Sequence, residues 1–280
     1  MRKKKFHLHR IWKIILPGLL ILTLLTWTAF SQRLLIRQYE VVTDKLEVPL
    51  RLAIIADLHE TLFGEGQSEL LAAIRKSSPD AVCLVGDILD GYEDEAPAWM
   101  LVEQLAAEYP CYYVTGNHEF WSGRASDYIQ RMSALGVAVL QGTGQVLTVD
   151  GASIDIFGVD DPDGLNDADW KAQLDRCAAT NERFSVLLSH RPERVADYVG
   201  RNFDLILCGH AHGGQVRIPF LLNGLYAPNQ GFFPRYAGGR YDLEEESGQT
   251  MIVSRGLQRN ALPRIFNRPE LVIINLMPTV

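Results

Sequence analysis

DLILCGHAHGGQ, residues 204–215, is the stretch from which the rest of the chain can be read. DLILC is apolar enough to be a buried strand. It runs into Gly209, then two histidines one residue apart, His210 and His212, then Gly213 and Gly214. The same arrangement recurs. LRLAIIA leads into Asp57-Leu58-His59, AVCLV into Gly86-Asp87, CYYVT into Gly116-Asn117-His118-Glu119, and FSVLL into Ser189-His190. Five apolar runs thus end in Asp, Asn or His, and all five histidines beyond residue 40 sit at these ends.

In open α/β sheets the carboxyl ends of the strands form the ligand crevice. The pattern therefore predicts one polar cluster of two Asp, one Asn and five His at the mouth of a sheet. Burying so many polar groups without a shared partner is costly. The donors are nitrogen and oxygen with no thiolate, which favours a harder or borderline divalent ion such as Mn, Fe, Zn, Co or Mg. Seven ligands exceed what one such ion with an open position takes, and they suit two ions bridged by one carboxylate. The glycine turn lets His210 and His212 approach neighbouring ions, and Gly213 and Gly214 are expected to clear space for substrate.

Taken in order, DLH, GDILD, GNHE, LLSHRPE and GHAHGGQ resemble the blocks of the calcineurin-like metallophosphoesterases, over about residues 48–280. GHAHGGQ with SRGLQRNALPRIFNRPE is similar to the bacterial membrane-associated branch, which includes single-domain phosphodiesterases and a UDP-2,3-diacylglucosamine pyrophosphatase-like group. The resemblance implies an α/β fold, a four-layer α/β/β/α sandwich of two mixed sheets. It implies that Asp57, His59 and His212 hold one ion, that Asn117, His190 and His210 hold the other, and that Asp87 bridges both. His118 is implied to stand over the substrate phosphate and donate a proton or hydrogen bond. Asn117 and His118 are candidate phosphate contacts. Arg191 either reaches the phosphate or pairs at the surface. Two such ions lower the pKa of a bridging water, so that hydroxide exists at neutral pH. The expected reaction is hydrolysis of a phosphodiester or pyrophosphate. The alternatives are a UDP-2,3-diacylglucosamine pyrophosphatase of lipid A synthesis and, in another class, an inactive metal-stabilised membrane binding module. The presence of all seven ligands and His118 weighs against the latter.

Asp90 and Glu119, beside ligands, are read either as hydrogen-bonding supports or as caps. Asp160 and Asp161 in GVDDPDG suit a turn or the rim of the site. Residues 219–240 form a long loop rich in aromatics, Gly and Pro, suited either to an acyl chain or to a satellite cluster.

The chain has 280 residues, 47% hydrophobic, enough for an N-terminal segment and one sizeable domain. Residues 1–40 carry eight Lys/Arg and one acid, leaving 19 basic and 33 acidic residues in the body. Such a balance argues against a nucleic-acid surface and is compatible with divalent cations. Cys83, Cys111, Cys177 and Cys208 show no paired spacing and read as small buried hydrophobes. Residues 1–13 form a basic tip, and 14–30, IILPGLLILTLLTWTAF, carry no charge. They are expected to be a transmembrane anchor, or else a signal cleaved near Ala29-Phe30-Ser31, followed by a linker over 31–37 and the domain over 38–280. Charge bias then predicts a single-pass membrane protein with an extracytoplasmic domain. A lipid or cell-envelope phosphate ester is the expected partner. His7 and His9 are expected to be solvated.

Further along, periodicity predicts helices over 68–77, 95–108, from Ser122 to about Leu135, over 168–179 and shortly after Pro192. It predicts strands at AVL, QVLTV and SIDIFGV within 138–159, and at QVRI, TMIVS and LVIINL.

Overall fold

Strands that are apolar at nearly every position need cover on both faces. The computed structural model shows how this chain supplies it; it describes residues 2–92, 94–177, 179–180, 182–243, 248–259 and 264–279, the side chains of 2–11 and Ile14 excepted. After helix α1 (Arg2–Ala29) come β1 (Leu35–Thr43), β2 (Leu50–Ile55), α2 (Ser68–Ser77), β3 (Ala81–Val85), α3 (Ala96–Glu108) and β4 (Cys111–Val114). Two helices, α4 (Asn117–Trp121) and α5 (Ala125–Ala134), precede β5 (Ala138–Val139), β6 (Thr143–Val149) and β7 (Ala152–Gly158). Then follow α6 (Asp167–Arg176), β8 (Phe184–Leu188), α7 (Val195–Tyr198) and β9 (Leu205–Cys208). The hairpin β10 (Tyr226–Ala227) and β11 (Gly231–Phe232) leads to β12 (Gly239–Asp242), β13 (Thr250–Val253) and β14 (Glu270–Pro278).

Two mixed six-stranded sheets result, ordered β1-β14-β2-β3-β4-β5 and β12-β13-β9-β8-β7-β6. Side chains alternate across each strand, and the alternation sorts them into layers. Leu52 and Ile54 of β2, Cys83 and Val85 of β3, Val186 and Leu188 of β8, and Leu205 and Leu207 of β9 share the core between the sheets. Ala53, Ile55, Val82 and Leu84 face outward onto α2, α3 and α5 through Leu70, Ile74, Leu101, Val102 and Met132. Leu187 and Ile206 face outward onto Trp170 of α6 and Tyr198 of α7. The layers are helix, sheet, sheet, helix. Strands β2, β3 and β4 are parallel neighbours, as are β8 and β9. Five carboxyl ends therefore open together. The four cysteines are free and buried.

Several expectations are corrected. Among the described residues no helix is long and apolar enough to cross a membrane. The single-pass anchor and the extracytoplasmic placement that depended on it are therefore overturned. The basic tip and the apolar run belong to one helix with Pro17 inside it. Its uncharged part, residues 14–29, is 16 residues and measures about 24 Å at 1.5 Å per residue, against a hydrocarbon core of about 30 Å. The histidines of the tip, His7 and His9, have side chains outside the described set. Strand β1 begins at Leu35, inside the expected linker, and pairs in parallel with β14. QVRI makes only isolated bridges, Val216 to Ile265 and Ile218 to Leu222. The helix expected from Ser122 to about Leu135 is α5, which starts three residues later at Ala125; Ser122 instead ends the short helix α4, with Gly123 at φ 72° between the two.

Candidate metal centre

Backbone hydrogen bonds lace the strand ends together. Asp57 N donates to Gly86 O (3.1 Å), His59 N to Asp87 O (3.1 Å), and Gly209 N to His190 O (3.2 Å). Asp57, His59, Asp87, His210 and His212 all adopt left-handed φ, between 44° and 67°. Each such residue costs about 1–3 kcal/mol, and strain of this kind collects at functional sites. The turns also demand close approach. A Cβ on Gly116 would lie 2.2 Å from Asp87 Oδ1. Gly213 and Gly214 do not clear space for substrate as expected. Both are buried, and a Cβ would strike Asn267 Oδ1 (2.2 Å) or Gly224 Cα (2.3 Å). They serve packing behind the site.

The donor atoms of Asp57, His59, Asp87 and His212 lie within 4.8 Å of one another, and so do those of Asp87, His190 and His210. Asp87 belongs to both groups. His190 Nε2 is 3.0 Å from Asp87 Oδ2 and 3.8 Å from Asp57 Oδ1, His59 Nε2 is 3.7 Å from Asp87 Oδ2, and His212 Nε2 is 3.5 Å from Asp57 Oδ1. Asp57 Oδ2, Asp87 Oδ2, Asn117 Oδ1, His59 Nε2 and His190 Nε2 are buried and lack a hydrogen-bond partner. Five orphaned lone-pair atoms converging on one space are what two cations sharing Asp87 require. The residues fit the pair of ions.

The outer faces of the imidazoles fix which nitrogen points inward. His190 Nδ1 donates to Val85 O (2.8 Å), and His59 Nδ1 lies 3.3 Å from Asp90 Oδ2. His210 Nε2 lies 2.9 Å from Asn229 Oδ1, which leaves Nδ1 free. Burial raises the Asp57 carboxyl to about 6, against the pull of His190. Burial also acts on Asp87, but His190 and His59 hold it well below the usual range. Burial opposes protonation of His190, yet Asp87 and Asp57 raise it to about 10. Burial lowers His210 and His212 well below the ordinary value, so they are neutral and ready to ligate. Binding of a cation at such a cluster displaces the His190 proton.

Supports surround this shell. Glu119 is both a buried strut and a cap of α4: its carboxylate accepts from Asp87 N (3.0 Å), Ile88 N (2.8 Å) and Leu89 N (3.2 Å), and from Gly116 N (2.8 Å) at the start of the helix. Burial and the Asp87 charge raise it to about 7. Asp90 orients His59. Glu60, which sequence reasoning missed although it directly follows DLH, accepts from Asp90 N (2.7 Å) and Gly91 N (3.1 Å). Asn267 was also missed, and it donates from Nδ2 to His212 O (2.7 Å). No local pattern marks it, because its partner lies 55 residues away.

Arg191 neither reaches toward a phosphate nor pairs at the surface, and both expectations are corrected. It is 1% exposed. Its Nε and Nη2 donate to both oxygens of Asp161 (2.5 and 2.7 Å), and Nη1 donates to Asn229 Oδ1 (2.8 Å). Asp161 and Asn229, the latter from the 219–240 loop, consume its donors, and Nη1 also lies 3.1 Å from His210 Nε2, so it positions His210 both directly and through Asn229. Asp161 caps the turn at Pro162 as well. Asp160 is a buried acceptor for Thr115 Oγ1 (2.9 Å) and Gln173 Nε2 (2.9 Å). Replacing Arg191 by Ala strands Asp161 without its counter-charge, and a loss of about 3 kcal/mol is expected in urea unfolding. A loss within 0.5 kcal/mol, the size of an ordinary surface change, would show the pair to be dispensable.

His118 stands at the mouth on α4, its side chain 24% exposed and Nδ1 4.0 Å from Asp90 Oδ2. Its backbone N donates to Asp87 Oδ1 (2.9 Å). Burial lowers its pKa, and Asp87 opposes that shift.

A family model described as calcineurin-like phosphoesterase matches residues 50–214, a span that includes every residue of both donor groups. The chain belongs to that family. The metallophosphoesterase YkuE of Bacillus subtilis, itself uncharacterised, is 31% identical over 221 residues, covering 77% of this chain and 74% of its own. Another uncharacterised metallophosphoesterase, Cj0846 of Campylobacter jejuni, is 29% identical over 248 residues, 86% of this chain. The match spans 63% of that protein's length, less than two thirds. Phosphodiesterase YaeI of Escherichia coli is 25% identical over 236 residues, 82% of this chain and 83% of its own. This calcineurin-like chain is accordingly a metal-dependent phosphoesterase, with a cluster suited to two divalent ions.

Proposed function

We propose that this phosphoesterase hydrolyses a phosphodiester, with Asp57, His59 and His212 holding one ion, Asn117, His190 and His210 the other, and Asp87 both. The observation that carries the reading is the shared carboxylate: Asp87 joins the group of Asp57, His59 and His212 to the group of His190 and His210, and His118 stands beside them. When bound, two divalent ions supply charge neutralisation of the phosphate and hydroxide at neutral pH. The chain supplies the rest. Asn117, at the N-terminus of α4, fixes the depth of the site through an amide oxygen that has no other partner. His118 presents an imidazole at the opening and delivers a proton to the departing oxygen, with the Asp90 carboxylate 4.0 Å from its Nδ1. Glu119 keeps the Asp87 turn from relaxing. The name of the Escherichia coli relative, phosphodiesterase, supports the diester over the monoester.

The test uses the full chain loaded with Mn²⁺. Bis-p-nitrophenyl phosphate is expected to be cleaved and p-nitrophenyl phosphate to be cleaved at least about tenfold more slowly, a gap of about 1.4 kcal/mol in barrier. A preference for the monoester sinks the reading. UDP-2,3-diacylglucosamine in detergent, scored by UMP release, is the third arm. If it is turned over far faster than the synthetic diester, the pyrophosphatase alternative takes precedence.

A further inference from the structure

We infer that Tyr92 and Trp121 are the walls of a subsite for a planar aromatic group carried on the leaving side of the phosphate ester. The inference rests on the assignment of His118 to the leaving oxygen. Large aromatic side chains are mostly buried, and contiguous exposed ones mark interaction sites. Tyr92 is 71% exposed and Trp121 55% exposed. Both flank His118. The Trp121 ring lies 4.8 Å from the His118 ring at 47°, and the Tyr92 ring lies 6.5 Å from it at 87°.

Neither ring is there by accident of a loose loop. Trp121 Nε1 donates to Asp163 Oδ2 (3.0 Å), and the same carboxylate pairs with Arg191 Nη2 (2.9 Å). Tyr92 N donates to Asp90 Oδ1 (3.1 Å), and the other oxygen of Asp90 faces His59. The Trp121 ring is therefore tied by its indole N–H to a carboxylate that also pairs with Arg191, and the Tyr92 backbone is tied to the carboxylate that faces His59. With its N–H already engaged, the Trp121 indole offers a ligand only its π face. Such a face takes a planar ring by offset or edge contact and gains less from a flexible alkyl group. His118 donates its proton between the walls, so the group they hold is the one that departs.

The experiment compares methyl phenyl phosphate with methyl hexafluoroisopropyl phosphate on the Mn²⁺-loaded chain. The two leaving groups are similarly acidic and only the first is planar. Wild type is expected to favour the phenyl ester by about tenfold in kcat/KM, the size of one base–aromatic stack. Trp121→Ala is expected to bring the ratio close to one, chiefly through KM, with Trp121→Phe keeping most of it and Tyr92→Ala losing part. Calorimetry with phenylphosphonate and methylphosphonate gives the same comparison without turnover. An absence of phenyl preference in wild type, or a preference unchanged in both alanine variants, overturns the subsite. If neither ester is hydrolysed but phenylphosphonate binding still depends on Trp121, the phosphodiesterase reading fails and the subsite stands.

Discussion

Asp87→Asn is expected to lower turnover by about a thousandfold or more and to strip metal from the protein, whereas His118→Ala lowers turnover about as far with metal content intact. The contrast follows from position. Asp87 is fully buried, belongs to both donor groups, and has one oxygen that receives His118 N while the other has no hydrogen-bond partner. An amide at that point removes the charge two cations share and turns a donor N–H toward one of them. His118 belongs to neither of the groups that contain Asp87. Its donor atoms group with those of His59 and Asp90, and its side chain is more exposed than theirs, at the opening where the proposed reaction needs a proton. General acid catalysis is worth about a hundred- to ten-thousandfold. Metal content per chain by plasma emission, measured on both variants beside kcat, decides the matter. Equal metal loss in the two would contradict the role given to His118.

Glu119→Ala is expected to destabilise the fold by about 4 kcal/mol and to lower metal affinity at the same time. Four buried backbone N–H groups, of Asp87, Ile88, Leu89 and Gly116, point at this one carboxylate. Each buried donor left unmade costs about 1–3 kcal/mol, with partial relief from relaxation and entering water. Two of the four belong to the Gly116 turn and to Asp87, so the β3 and β4 ends lose their mutual register. Glu119→Gln keeps an acceptor oxygen and is expected to lose less than half as much. Urea unfolding of the metal-free forms measures the first effect and isothermal titration with Mn²⁺ the second. A stable Glu119→Ala protein with unchanged affinity would show that the strut is not needed.

The site was legible because its residues follow apolar runs directly. Asp57, Asp87, Asn117, His190 and His210 each stand within three residues of a strand's last residue, and strand ends in a parallel sheet open together. Arg191 is the instructive error. As a cation next to a ligand histidine it looked available to phosphate, but availability depends on what covers it. Asp161 and Asn229, 30 and 38 residues away, take its donors. Asn267 and Glu60 carry no signal of their own type, since Asn and Glu occur on any surface. The apolar stretch at 14–30 erred in the opposite direction. Local composition suggested a membrane span, and the count of residues in one helix, with a proline and a basic half, left it too short.

By itself the sequence determined the alternation of strands and helices, the polar ends and a nitrogen and oxygen donor set suited to divalent ions, because these depend on side-chain period and donor type. Only the tertiary structure decided that Glu119 gathers the Asp87 and Gly116 turns, that Gly213 and Gly214 pack against Asn267 and Gly224, that β1 closes one sheet edge beside β14, and that Arg191 is buried. The physical reason is range. Period and donor chemistry act within a few residues, whereas sharing, burial and close approach depend on which distant segments the two sheets bring within a few ångströms.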